Sequence, residues 1–234
     1  MNLNLDVSSL QNCKALVLHS GGLDSTTALA IAIEDYGYKY NSVGSVSIQY
    51  GQRHAKEIDQ AELICQYFDV PHIVLEAPAM PKSMLTNKQA EIPDVAYSEI
   101  EGVSPTYVPF RNGLFLSYLA CIAQAIEAEA IYIGAHAEDA YNDAYPDCSL
   151  QFIGTMGAAV YIGTYHQVRI RAPLLNMSKA DVVTLGTKLN APLGLTWSCY
   201  KGDEKHCGHC PTCYARKEAF HKANVRDPTC YDKG

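Results

Sequence analysis

Between residues 15 and 33 an apolar run, Ala15-Leu16-Val17-Leu18, leads through His19-Ser20-Gly21-Gly22-Leu23-Asp24-Ser25-Thr26-Thr27 into a second one, Ala28-Leu29-Ala30-Ile31-Ala32-Ile33. A short β-rich run, two adjacent glycines and a long helix former predict a strand, a tight turn and a helix N-terminus. The glycines let the backbone turn sharply and leave no Cβ to hold an anion away. The first N–H groups of a helix lack intrahelical acceptors and carry partial positive charge, so a phosphate or pyrophosphate suits the turn. Ser20, Ser25, Thr26 and Thr27 place hydroxyls around that first turn. Asp24 fits as a partner of Mg²⁺ bridging to a phosphate, or as a helix-capping acid. The string is neither G-x-x-x-x-G-K-[ST] nor G-x-G-x-x-G; the bland alternative is a plain strand-to-helix turn.

Further along, the pattern alternates. Strands are expected at 43–50, 72–76, 129–135 and 167–170, and helices at 55–68, about 113–128 and 149–162. Ser178-Lys179-Ala180-Asp181 is a capping box in its Asp form and opens a helix to about Leu189. Strands alternating with crossover helices predict an α/β fold, a doubly wound open parallel sheet of about five strands. In such sheets ligands bind at the carboxyl ends of the strands where strand order reverses. The polar clusters at 20–27, 49–54 and 136–147 all follow strands, which predicts one shared site. Residues 77–107 break the pattern with four prolines and several acids, and read as a flap or a surface excursion.

At 234 residues the chain fits one sheet domain, 1–198, with a C-terminal extension, 199–234. A formal net charge of −7 argues against a nonspecific nucleic-acid surface. Residues 1–12 lack a basic start followed by an apolar core, and no apolar run reaches membrane length. A cytoplasmic setting is expected, and with it reduced thiols for the nine cysteines.

Cys199, Cys207, Cys210 and Cys213 form C-x₇-C-x₂-C-x₂-C. Structural zinc held by four thiolates is the first reading; an iron–sulfur cluster and a redox pair compete with it. Pro211 reads as the first residue of a helix whose dipole favours thiolate at Cys213. Cys65 and Cys121 sit on apolar helical patterns and are expected in the core, while Cys148 has a packing and a chemical reading.

The string S-G-G-x-D-S-T-T resembles the pyrophosphate loop of the ATP pyrophosphatases. With Tyr50-Gly51-Gln52-Arg53-His54, Val108-Pro109-x-Arg111-Asn112, Tyr145-Pro146-Asp147-Cys148 and the four cysteines, all in order, the chain resembles the 7-cyano-7-deazaguanine synthase family over about residues 14–222. Where the family often reads V-P-G-R-N and Y-P-D-C-R, this chain has Phe110 and Ser149.

The resemblance implies an adenine nucleotide alpha hydrolase-like sheet of order 3-2-1-4-5 and a zinc-stapled extension. It further implies ATP-dependent conversion of 7-carboxy-7-deazaguanine and ammonia to the nitrile, through adenylated acid and amide. His19, Ser20, Gly21, Gly22, Leu23, Asp24, Ser25, Thr26, Thr27, Ala28 and Leu29 would bind ATP with Mg²⁺. Asp24, Arg111, Lys179 and Asp147 would serve catalysis, and Arg53, His54, Arg111, Asn112, His136, Glu138 and Asp147 the deazaguanine acid. Cys199, Cys207, Cys210 and Cys213 would hold zinc, and the chain would pair as a homodimer acting on small molecules, with no nucleic acid or membrane partner. Ordinary surface charge is the competing reading for Lys179 and Glu138. The rivals are a related ligase that passes the adenylated acid to another amine, a tRNA-modifying relative, and a non-catalytic nucleotide-binding module.

Overall fold

A computed structural model describes residues 6–37, 41–52, 56–77, 80–81, 83–87, 94–95, 103–136, 138–139, 144–201 and 204–232. Five strands, β1 (Ala15–Leu18), β2 (Val43–Gln49), β3 (His72–Glu76), β4 (Ala130–Ile133) and β5 (Arg169–Arg171), form one sheet of order β3-β2-β1-β4-β5. Every pairing is parallel; Ala15 stands opposite Val43 on one side and Ala130 on the other. Helices α1 (Leu23–Tyr36), α2 (Lys56–Phe68), α3 (Arg111–Ala125), α4 (Leu150–Gly163), α5 (Lys179–Lys188) and α6 (Pro211–Lys222) complete the fold.

The central strands are apolar without alternation because helices cover both faces. On one face Leu16, Val46 and Ile131 pack with Leu116, Leu119 and Ile122 of α3. On the other, Ala15, Val17 and Tyr132 pack with Leu29 and Ala32 of α1 and Ile64 and Cys65 of α2. α6 joins through Ala219 and Phe220, which meet Leu23 and Val183. Order reverses between β1 and β4, so the loops leaving these two strands flank the switch point.

Helix starts follow their capping chemistry. Ser178 Oγ accepts from Asp181 N, and the Asp181 carboxylate accepts from Ser178 N, which makes the capping box of α5. Ser149, at the position of the family's arginine, caps α4 by accepting from Phe152 N. α3 begins two residues before the expected 113 and ends at Ala125, because Glu127 takes a positive φ and turns the chain into β4. Cys121 departs from expectation. It is exposed on α3, because the core face of that helix is filled by Leu116, Leu119, Ile122 and Ala123.

Candidate active site

A cavity of about 860 Å³ opens at the carboxyl ends of β1, β2 and β4, within the roughly 300–1,000 Å³ of small-molecule sites. Its floor is the turn after β1. Gly21 has φ +76°, and a Cβ there would stand 2.2 Å from the Glu57 carbonyl oxygen, so the turn needs glycine on both counts. Ser25 Oγ accepts from Ser20 N at 3.1 Å and contacts Ser20 Oγ at 3.1 Å, which folds the turn over the first N–H groups of α1. Gly134, leaving β4, lets the two loops touch: a Cβ there would lie 2.7 Å from Ser25 N.

Not all of the expected nucleotide residues face this space. His19, Ser20, Gly22, Leu23, Asp24 and Ser25 line it. Thr26, Thr27, Ala28 and Leu29 are fully buried under α1. The Thr27 hydroxyl donates to Leu23 O, and that of Thr26 meets His19 Nε2 at 3.2 Å, so neither points at a ligand.

Above the turn, residues distant in sequence form one charged cluster. Lys179 Nζ lies 2.5 Å from Asp24 Oδ2 and 3.2 Å from His136 Nε2, and His136 Nε2 lies 3.2 Å from Asp139 Oδ1. Burial pushes the Asp24 carboxyl up, but Lys179 and His136 outweigh it and hold the group below the usual carboxylate range. Burial opposes the charge on Lys179, and Asp24 and Asp139 outweigh it and raise the ammonium. Burial raises Asp139, with His136 and Lys179 pulling against it. Asp24 Oδ1 is buried with no hydrogen-bond partner among the described residues. A buried carboxylate oxygen without a hydrogen-bond partner, in a cluster that also holds Asp139 and beside the α1 N-terminus, is a donor set that fits Mg²⁺. Glu138 also lines the cavity, and its Oε1 accepts from Lys179 N at the start of α5.

Arg111 forms the opposite wall. Its Nη1 donates to Tyr50 Oη at 3.1 Å with the guanidinium 5.5 Å from the Tyr50 ring centroid. Burial works against its charge, and Tyr50, Tyr200, Cys148 and Asp147 outweigh it, so the group stays a cation. Asp147 does not line the cavity. It is buried, Oδ2 accepting from Asn112 N at 2.9 Å and its carbonyl from Asn112 Nδ2 at 3.2 Å, so it fixes the first turn of α3 and thereby Arg111. Cys148 Sγ accepts from Asn112 Nδ2, and burial pushes its thiol well up, which suits packing better than nucleophilic work. Arg53 and His54 lie outside the described residues.

Glu57 and the aromatic residues Trp197 and Tyr200 line the cavity without a signal in the sequence motifs. Burial pushes the Glu57 carboxyl up to about 7, with Arg111 opposing. Its place at the start of α2 reads in the sequence as ordinary first-turn charge.

Cys199, Cys207, Cys210 and Cys213 bring their Sγ atoms within 4.8 Å of one another, with Cys207–Cys213 and Cys199–Cys210 at 4.0 Å. Four thiolates on tetrahedral zinc at about 2.3 Å stand about 3.8 Å apart. Cys199 Sγ accepts from Lys201 N and Cys207 N, and Cys207 Sγ from Cys210 N, the support a thiolate needs. The donor set fits a closed structural zinc site with no open position. Trp197 and Tyr200, packed with these cysteines, form part of the cavity wall.

A parallel sheet with an anion-binding helix N-terminus and charged cluster at its switch point defines a nucleotide-binding enzyme of the PP-loop class. The chain belongs to the family described as Queuosine biosynthesis protein QueC, which matches residues 14–224. It is 42% identical to the 7-cyano-7-deazaguanine synthase of Thermoplasma volcanium, over 94% of this chain and 91% of that one. It is likewise 42% identical to the 7-cyano-7-deazaguanine synthase of Oceanobacillus iheyensis, over 93% and 98%. The fold is similar, at 15% identity and a TM-score of 0.51, to the U34-tRNA thiolase NcsA from Methanococcus maripaludis with its [4Fe-4S] cluster. That likeness covers 91% of this chain and 66% of the thiolase, and concerns the fold alone.

Proposed function

We propose that this protein is an ATP-dependent C–N ligase that makes 7-cyano-7-deazaguanine from 7-carboxy-7-deazaguanine and ammonia, in queuosine synthesis. The observation that carries the reading is the cluster of Asp24, Lys179, His136 and Asp139 over the α1 N-terminus, in a chain 42% identical to named synthases.

The triphosphate lies on the first N–H groups of α1 and the Ser20 and Ser25 hydroxyls, while Arg111 clamps the acid. A carboxylate oxygen of the acid bonds to the α-phosphorus as the bond to the diphosphate oxygen breaks. The turn keeps the departing diphosphate, and Lys179 turns from Asp24 to the phosphates. Ammonia then bonds to the activated carbon while the bond from that carbon to the adenylate oxygen breaks, and AMP leaves with the electron pair. The surplus proton on nitrogen passes to the Glu57 carboxylate. A second ATP adenylates the amide oxygen in the same way; the C–O bond to AMP then breaks, the two N–H protons pass by way of Glu57 to solvent, and the nitrile remains. Asp24 and Asp139 would hold Mg²⁺, which would neutralise phosphate charge. Asp147 is a positioning residue that sets Arg111.

In this reading 199–234 is an extension stapled by zinc onto 1–198, and the enzyme works in the cytoplasm. No helix among the described residues is long and apolar enough to cross a membrane. The homodimer would form through α4, of whose 14 residues only Ile153 and Val160 are buried, while Leu150 is 61% and Ile162 68% exposed. An apolar helix face this open suits a second copy of the same chain. Ile162→Glu should convert a dimer to a monomer in light scattering; a wild-type monomer would count against this.

Incubation with ATP, Mg²⁺, ammonium and 7-carboxy-7-deazaguanine, followed by mass analysis, tests the function. A nitrile with AMP and pyrophosphate is expected; a product that stops at the adenylate or amide favours transfer to another amine.

A further inference from the structure

A second group of metal-type donors lies beneath α2, apart from the four cysteines. Ser45 of β2 pairs with Val17 of β1 and His72 of β3, so these side chains share the face that α2 covers. His19 follows two residues after Val17 and joins them. Cys65 projects from α2, its Sγ 3.6 Å from His19 Nδ1. Ser45 Oγ bridges the two rings, 3.1 Å from His19 Nδ1 and 2.9 Å from His72 Nδ1. One ligand atom from each of His19, Cys65 and His72 lies within 4.8 Å of the others.

Three further features distinguish this from a satisfied polar core. His72 Nε2 is buried with no hydrogen-bond partner among the described residues, an unmet need in a network that is otherwise paired. A separate cavity of about 420 Å³, lined by Glu62, Cys65, Asp69 and His72 among others, gives an ion a way in. His19 Nε2 meets Thr26 Oγ1 at 3.2 Å; donation to that hydroxyl turns the Nδ1 lone pair toward Cys65 and fixes the ring as a ligand requires.

We propose that His19, Cys65 and His72 form a second metal site for a thiophilic cation of the Zn²⁺ class, with two nitrogens and one sulfur and a fourth position open to the smaller cavity. As the metal–sulfur bond forms, the Cys65 thiol proton leaves to solvent through that cavity. Because His19 is bonded to Ser20 and held to Thr26, the ion ties the nucleotide turn to α2 and β3. The site stands whatever reaction the larger cavity performs.

The test uses the full chain, stripped of metal and titrated with Zn²⁺ or Co²⁺ alone. Wild type should take up a second equivalent of zinc beyond that held by the four cysteines. Cys65→Ser and, separately, His72→Gln should each lose that equivalent while keeping the first, with unchanged far-ultraviolet circular dichroism. With Co²⁺ the second equivalent should add a single-thiolate charge-transfer band that is missing in Cys65→Ser. His72→Gln leaves the buried thiol and helix packing intact, so it separates loss of a ligand from loss of fold. Wild type that saturates at one equivalent, or a Cys65→Ser protein that still binds two, overturns the proposal.

Discussion

Lys179 reaches Asp24 across 155 positions of sequence, and no local pattern announces that meeting. The capping box places Lys179 at the first position of a helix, where surface charge is the ordinary reading. Only the sheet order, which sets α5 against α1, turns it into the cavity. Phe110 illustrates the reverse case. The family pattern often puts glycine there, and the structure gives the reason: the residue sits at φ 55°, ψ 25°, the left-handed region, just before α3. Phe110 accepts that backbone strain and stacks its ring edge-on against Phe152, 5.7 Å between centroids. Glu57 gives a prediction with a definite sign. Its carboxyl is raised from 4.5 to about 7, so the fold favours the protonated form. That contribution to stability is fully present below about 4.5 and is lost as pH rises through about 7. Glu57→Gln should therefore melt above wild type at pH 8, by an equivalent of at most about 3 kcal/mol. With ionised Glu57 as the proposed proton acceptor, the ammonia-dependent rate should climb with pH through about 7. Glu57→Gln should flatten that limb and lower the rate about 10²–10⁴-fold. An unchanged pH–rate profile would remove the role.

Among the elements, the strands and helices were legible because apolar runs and caps lie close together in sequence. β3 occupies the expected 72–76 and α6 starts at Pro211 as the Pro signal implies. Ends set by a positive φ, such as that of α3 at Glu127, were not legible, since they reflect how the chain must turn to reach the next strand. Asp147 belongs to this scale as well. A Tyr-Pro-Asp-Cys loop reads as a substrate contact, yet its carboxylate supplies the acceptor that Phe110, the residue preceding α3, lacks in its own side chain. Asp147→Ala leaves a buried N–H unpaired and should cost about 1–3 kcal/mol, or roughly 2–4 °C of melting temperature per kcal/mol for a chain this long. Thermal melting and steady-state kinetics check it together. If Asp147 acts through Arg111 as proposed, KM for the acid rises and KM for ATP stays the same. A lowered KM for the acid would contradict the positioning role.

In the whole molecule, buried contacts join the C-terminal residues to the chain before them. Arg216 of α6 is fully buried, donating to Leu193 O at 2.8 Å and Thr196 Oγ1 at 2.7 Å and pairing with Asp227. Asp94, between β3 and α3 in the sequence, pairs with Lys201 and His209 of the module. The cysteine spacing made a candidate metal site legible, but not that Trp197 and Tyr200 would wall the cavity. Zinc removal by a chelator should therefore lower the melting temperature and weaken nucleotide binding together, and added zinc should restore both. Full nucleotide affinity in the zinc-free protein would separate the module from the site. The proposed function rests on adenylyl transfer from ATP to an acid, with the turn after β1 and Asp24 holding the departing diphosphate. The most direct measurement is ATP–pyrophosphate exchange driven by 7-carboxy-7-deazaguanine with Mg²⁺ and no ammonia. The account predicts exchange in wild type and in Glu57→Gln, and a loss of at least about 100-fold in Asp24→Asn; exchange in Asp24→Asn at the wild-type rate would contradict it.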